Sequence, residues 1–469
     1  DPRLAMAALW AVYEQQKSAF AELPELQQVA QTMDFPLINV LAQMEFRGIK
    51  IDASKLEKMN KSLAQDIAAV QQNIYDMVGY EFNVASPAQL ASALFDKLLL
   101  PTAGIKKGKT GYSTNQKELD KLRGQHPIIE LVERFRELSK LQNTYVAALP
   151  EQTDANGYIH TTFNQDVTAT GRLSSTNPNL QNIPIRTELG RQIRDAFVPA
   201  PGNVFVNADY SQFELRLAAV MAGEKQMIED FNADVDIHAK TAAEVYNVPI
   251  NEVTPTQRRR AKVVNFGVLY GMSQHGLAAA ANMSYGEAQH FIDEYYRIRP
   301  HIKEFMEQTI RQAHEDGFVQ TLFGRRRPTP DVRSNNFAVR SAAERAAANM
   351  PIQGTEADLM KLAMLAVEKR LMPAADADLL PSETGKFEKN EFALPERQVS
   401  SGSKSGLVYK NISFGHQILQ IHDSIMVECP LQNAEIVSKM LVETMENIYP
   451  QLGIKLKVDV KIGNNWGEV

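Results

Sequence analysis

The chain has 469 residues, 44% hydrophobic and 23% charged, with a single cysteine, Cys429. At roughly 150 residues per domain this suggests about three domains, and the composition excludes a mainly disordered or fibrous chain, an internal disulfide framework and a multi-cysteine zinc site. The net charge of −6 speaks only weakly against a nucleic-acid partner, because affinity for phosphate depends on local patches.

Asp1-Pro2-Arg3 is neither a leader nor a natural start, and a fragment lacking its upstream part is expected. Residues 1–35 read as helix, with Leu4, Ala8, Ala11 and Val12 on an apolar face. From Leu37 to about Val146 the pattern is helical, interrupted once by an exposed loop at Pro101 to Thr114. Two long helices and a basic loop make an arm rather than a globular core. From Tyr158 short strand-like pieces appear, the clearest being Asn203 to Ala208, followed at once by a helical pattern from Phe213 to Met221. Residues 224–335 are mostly helical, and another helix runs from Ser341 to about Leu371. Residues 373–411 are rich in Pro, Ser, Gly and Lys and read as an insertion. Two strands, Gln417 to Ile421 and Ile425 to Cys429, then flank His422-Asp423-Ser424, and a helix and a final strand near Leu456 to Val460 close the chain. The longest uncharged run, Val263 to Gly286, is diluted by Asn265, Gln274, His275 and Asn282. It reads as a packed helix followed by a loop, not a membrane span.

Basic runs lie at Lys106 to Lys109, Arg258 to Lys262 and Arg325 to Arg327. The first nearly has P-loop spacing, but Pro101 precedes it and Gly111-Tyr112-Ser113 stand where a helix should begin, so a loop touching phosphates fits better than an NTPase. Asp209 sits where a strand meets a helix, a position that can hold a hard divalent cation. Ser211 and Glu214 also have capping-box spacing, and taken alone the stretch fits a cap as well as a site. Asp423 lies at a hairpin tip between apolar strands, and two rigid aspartates could share a pair of metal ions. Arg258, Lys262, Phe266 and Tyr270 are spaced by four, which puts two cations and two aromatics on one broad helical face. That face suits a ligand with phosphates at one end and a base at the other, or a surface helix with a half-buried stripe.

Taken together these stretches resemble family A of the DNA polymerases, closest to its bacterial members. The likeness is carried by Thr170-Gly171-Arg172-Leu173-Ser174-Ser175, Pro178 to Pro184, Asp209 to Arg216, Asp236-Ile237-His238 and Arg258 to Gly271. It continues in Gly324 to Arg327, Glu344-Arg345, Asn349, Gln353-Gly354-Thr355 and Gln420 to Asp423, all in family order. The resemblance implies an α+β, multidomain right-hand fold: a remnant of a 3′–5′ exonuclease-like domain at 1–35, a thumb at 36–150, a palm with an antiparallel sheet at 151–217 and 336–469, and helical fingers at 218–335. It implies two Mg²⁺ ions, with Mn²⁺ as substitute, held by Asp209, Asp423 and the Tyr210 carbonyl. Lys262 would be the proton donor, and Arg258, Lys262, Phe266, Tyr270, Glu214, Gln212 and His238 would bind the nucleotide, with Glu214 as a gate against ribose. Arg172, Asn179, Gln181, Arg345, Asn349, Gln353 and His422 would contact DNA. The implied partners are primer–template DNA and dNTPs, with no membrane, for a cytoplasmic, nucleoid-associated monomer; phage and organellar origins stay open. Ser424 departs from the family, which has Glu there, and the 373–411 stretch exceeds the family connection. A DNA-binding relic without activity and a single-subunit RNA polymerase are the competing readings.

Overall fold

The computed structural model describes residues 2–109, 111–185, 187–372 and 414–469. The expected insertion at 373–411 lies outside the described residues. Helices α1 (Pro2–Ala21) and α2 (Pro24–Val29) open the chain, and a π-turn at Ala30–Asp34 leads into α3 (Phe35–Arg47). The single helix expected over 1–35 is thus divided at Leu23-Pro24, where proline removes a backbone donor and fixes the entry angle. The apolar face of α1 is not covered: Leu4, Leu9 and Trp10 are all exposed.

Next come α4 (Ala53–Val78) and α5 (Ile128–Leu141), which pack against each other. Asp52 caps α4, its carboxylate accepting from the amides of Ser54 and Lys55, and Gly79 ends it in the left-handed conformation that glycine adopts without penalty. The expected loop at 101–114 contains a small hairpin pairing Lys107 with Tyr112, and Gly79 to Ala85 forms a further break in the helical run. The arm is not coreless. Ile74, Val78, Phe82, Leu90, Leu94, Ile128, Val132 and Phe135 bury a cluster distinct from the main core. Apolar residues on the loop side of both helices needed partners, and the short segment 87–97 between them supplies these.

Strand β1 (Asn203–Tyr210) runs straight into α6 (Phe213–Ala222). Then follow α7 (Ile237–Tyr246), α8 (Pro255–Leu269), α9 (Gln274–Ala281), α10 (Tyr285–Ile298) and α11 (Pro300–Asp316). The loop expected after the helix at 263–269 is corrected to a second helix, α9, which Ser273 caps through the Gly276 amide. The long helix α12 (Phe337–Leu371) precedes β2 (His416–Ile421), β3 (Ser424–Pro430), α13 (Ala434–Glu446) and β4 (Val458–Gly463). The strands form one antiparallel sheet in the order β2-β3-β1-β4. The fold is α+β, as expected. Among the described residues no helix is long and apolar enough to cross a membrane.

Arg325 ties the start of the chain to α12. Its guanidinium bonds both oxygens of Asp34, at 2.9 and 2.8 Å, and Oδ1 of Asp358 at 2.6 Å; Lys361 bonds the same Asp34 at 2.6 Å. Asp358 is wholly buried and is also held by the Thr321 hydroxyl. The Arg325 to Arg327 run is therefore corrected from a candidate phosphate patch to packing: Arg326 stacks on Phe318 and Arg327 donates to the Ala346 carbonyl. Removing one partner of a buried charge cluster leaves the rest uncompensated. Arg325→Ala is expected to lower unfolding free energy by about 3–5 kcal/mol, read from the urea midpoint at unchanged slope.

Candidate active site

Asp209 and Asp423 meet because of strand register. Ser424 pairs with Asp209 across β3 and β1, so the hairpin tip preceding it abuts the end of β1, and the Tyr210 amide donates to the Asp423 carbonyl at 3.0 Å. His422 turns the tip with φ of 52°, in the left-handed region. On the other side of β1, Asp459 of β4 pairs with Asp209. The Asp209 side chain opens to solvent, yet desolvation by surrounding protein, with the charges of Asp423 and Asp459, pushes its pKa up to about 7. Asp423 is raised too, chiefly by burial. An oxygen-only pair of carboxylates, whose raised pKa values Lys461 and Arg172 only partly offset, suits a hard divalent ion. Among the described residues no group of three or more His, Cys, Asp and Glu is arranged to hold a metal.

The expected capping box does not form. Gln212, in the left-handed region, is the N-cap of α6 and makes no side-chain cap bond. Glu214 is instead buried and turned to two partners. Its Oε1 accepts from Arg172 Nη2 at 2.6 Å, and its Oε2 accepts from the Tyr270 hydroxyl. Charge partners from other elements outcompete a local cap here.

Thr254 and Gln257 build a full capping box on α8, with Pro255 in the first turn. This fixes the phase of Arg258, Lys262, Phe266 and Tyr270, though Tyr270 is the residue that ends the helix rather than part of it. Arg258 bonds Asp236 at 2.7 Å, Lys262 is exposed, and Phe266 is half-buried beside the His238 ring. His238 is buried and bonded to Asn265. Desolvation, reinforced by Arg258 and Lys262, pushes its pKa down to about 4, so it is neutral at pH 7. Burial, then the Glu214 carboxylate, raises the Tyr270 phenol, and Gln353 bonds the same hydroxyl. Gly271 follows with φ of 61°, and a Cβ there would lie 2.8 Å from Arg345, so only glycine lets α8 end against α12.

The remaining expected DNA contacts border the same region. Gln181 donates to the Gln420 carbonyl in the β2–β3 hairpin, and Arg345 bonds Ser341 one turn back on α12. Asn179 and Asn349 each keep a buried side-chain oxygen without a partner. Three charged side chains at the site escaped the sequence reading: Asp459, Asp236 as partner of Arg258, and Glu356. The signal for Glu356 was present. It stands among Ile352, Leu359 and Ala363 on a helical stripe that is otherwise apolar and buried.

A family model described as DNA polymerase family A matches residues 53–468. DNA polymerase I of Bacillus caldotenax is 42% identical over 465 residues, covering 98% of this chain and 48% of that protein. Thermostable DNA polymerase I of Thermus aquaticus is 42% identical over 433 residues, covering 92% of this chain and 47% of that protein. The chain spans about half the length of the curated relatives it matches. A solved structure of the POL domain of Pol1 from M. smegmatis, in complex with DNA primer-template and dNTP, is 36% identical with a TM-score of 0.82. That match covers 98% of this chain and 74% of that one.

The Asp209 shift has a sign that can be tested. Its folded pKa lies above its ordinary value, so ionisation costs stability from about pH 4 upward, in full above about pH 7. Asp209→Asn is expected to raise the melting temperature of the metal-free protein at about pH 8, with the gain vanishing near pH 4. Calorimetry across that range checks it, and a pH-independent gain would contradict it.

Proposed function

The chain belongs to DNA polymerase family A, and we propose that it extends the 3′-hydroxyl of a primer on a template strand with dNTPs, releasing pyrophosphate. In this reading residues 36–150 are the thumb, 151–217 and 336–469 the palm, 218–335 the fingers, and 1–35 the end of an exonuclease-like domain. The observation that carries it is the meeting of Asp209 and Asp423 at adjoining strand ends, beside the Glu214 at which the cationic and aromatic helix α8 terminates.

Asp209 and Asp423, with the Tyr210 carbonyl, would hold two Mg²⁺ ions, or Mn²⁺ in their place, which lower the pKa of the primer hydroxyl and stabilise charge on the transferring phosphate. Exposed Lys262 neutralises the triphosphate and donates a proton to the departing pyrophosphate. Arg258 exchanges Asp236 for phosphate oxygens, a charge-assisted contact on both occasions. Neutral His238 acts as a hydrogen-bonding group rather than a cation. Phe266 and Tyr270 present aromatic surface to sugar and base, Gln212 lines the same entrance, and buried Glu214 crowds a ribose 2′-hydroxyl. Arg172, Asn179, Gln181, Arg345, Asn349, Gln353 and His422 contact primer–template. Minor-groove contacts of this kind check pair shape without reading sequence. In this reading the enzyme is a monomer that works at the bacterial nucleoid.

Primer extension on a primed DNA template with Mg²⁺ and four dNTPs tests the reading. Extension is expected from the intact chain, with a loss of at least about a hundredfold in Asp423→Asn. DNA bound without extension would mean a binding module, and ribonucleotides used at parity would mean an RNA polymerase.

A further inference from the structure

Arg172 is held by more charge than its neutrality requires. Glu214 alone would balance it, yet Glu356 of α12 also turns both carboxylate oxygens to the same Nη2, at 2.8 and 2.7 Å. Glu356 is 2% exposed. Burial pushes the Glu356 pKa up to about 8, and Arg172 is the cation that draws this second carboxyl back towards its charged form. Desolvation works against the Arg172 charge, and Glu356 and Glu214 outweigh it, holding that pKa above the usual arginine range.

The three groups form one chain of contacts with Tyr270: hydroxyl to Glu214, Glu214 to Arg172, Arg172 to Glu356. Glu356 is fixed midway along the long buried helix α12, and Glu214 in the first turn of the shorter α6. Arg172 stands in an irregular segment just after Gly171. Strand β3 offers no alternative anchor, because Ser424, nearest the catalytic tip, turns its hydroxyl back to the Ile421 carbonyl at 3.0 Å. Without Glu356 the guanidinium is free to swing wholly onto Glu214 and compete with Tyr270 for it.

We propose that Glu356 is a positioning residue for substrate choice: through Arg172 it holds the Glu214 carboxylate where it excludes a ribose 2′-hydroxyl. This rests on the polymerase reading above. The selectivity of the gate therefore depends on a side chain that touches no nucleotide.

The test compares the intact chain, Glu356→Gln, Glu356→Asp, Arg172→Ala and the Arg172→Ala/Glu356→Gln double variant. For each, kcat and KM are measured for one dNTP and its ribonucleotide, with ternary-complex affinities for both on a chain-terminated primer, where no chemistry occurs. Glu356→Gln is expected to lower the dNTP-to-rNTP ratio about tenfold in both assays, and to add nothing on the Arg172→Ala background. Glu356→Asp, which keeps the charge at shorter reach, should fall between, and it stands in if the glutamine variant fails to fold. A lowered melting temperature with an unchanged ratio would make Glu356 a plain core ion-pair member and overturn the inference alone. Absence of extension by the intact chain would overturn the proposed function, and this inference with it.

Discussion

Two like-charged carboxylates are held at adjoining strand ends against their own repulsion. Everything else in the site follows from what it takes to keep them there. Backbone pairing does the holding: β1 lies between β3 and β4, and its register fixes Asp209 beside the Asp423 tip through main-chain bonds that no side-chain rotation can relax. The apolar strands keep that pairing dry, and the raised pKa values of both aspartates are the electrostatic cost of the arrangement. A divalent cation is the natural relief for that cost.

A second constraint surrounds the first. Cations near the pair are kept from collapsing onto it by carboxylates of their own. Arg258 is turned to Asp236, and Arg172 to Glu214 and Glu356. Lys262, one turn along α8, is exposed to solvent. Lys461 and Arg172 offset only part of the aspartates' raised pKa values, and the other cationic side chains stand close by in defined positions. That is a preorganised field, built before any ligand arrives.

Much of this was legible in the sequence, wherever the determinant was local. The strand-to-helix turn at Asp209, the hairpin around Asp423 and the four-residue spacing on α8 each come from short-range periodicity, and the structure keeps all three. Reading failed where distant residues compete. Ser211 and Glu214 had the spacing of a cap, but Arg172 and Tyr270 claim the glutamate. Arg325 looked like a surface charge, because nothing near it in sequence announces Asp34, to which it is bonded. The core of the arm was missed for the same reason: its helices were read without the short segment that folds between them. Glu356 was visible as a charge in an apolar stripe, but its partner Arg172 is remote in the chain.

The two cores share two helices, α4 and α5: Leu56, Leu63, Leu138 and Leu141 lie in the main core, and Ile74, Val78, Val132 and Phe135 in the core of the arm. Ile67 and Val70, midway along α4, pack against both the main core and the core of the arm. Elsewhere the two clusters are lined by separate residues, so the arm has its own source of cohesion. A body with its own interior, joined to another through two continuous helices, swings as a unit instead of bending along its length. The arm can therefore pivot about α4 and α5 while its interior packing stays as it is. Its backbone amides should exchange with deuterium as a cooperative block, at a rate set by its own cluster and not by the sheet that carries the aspartates.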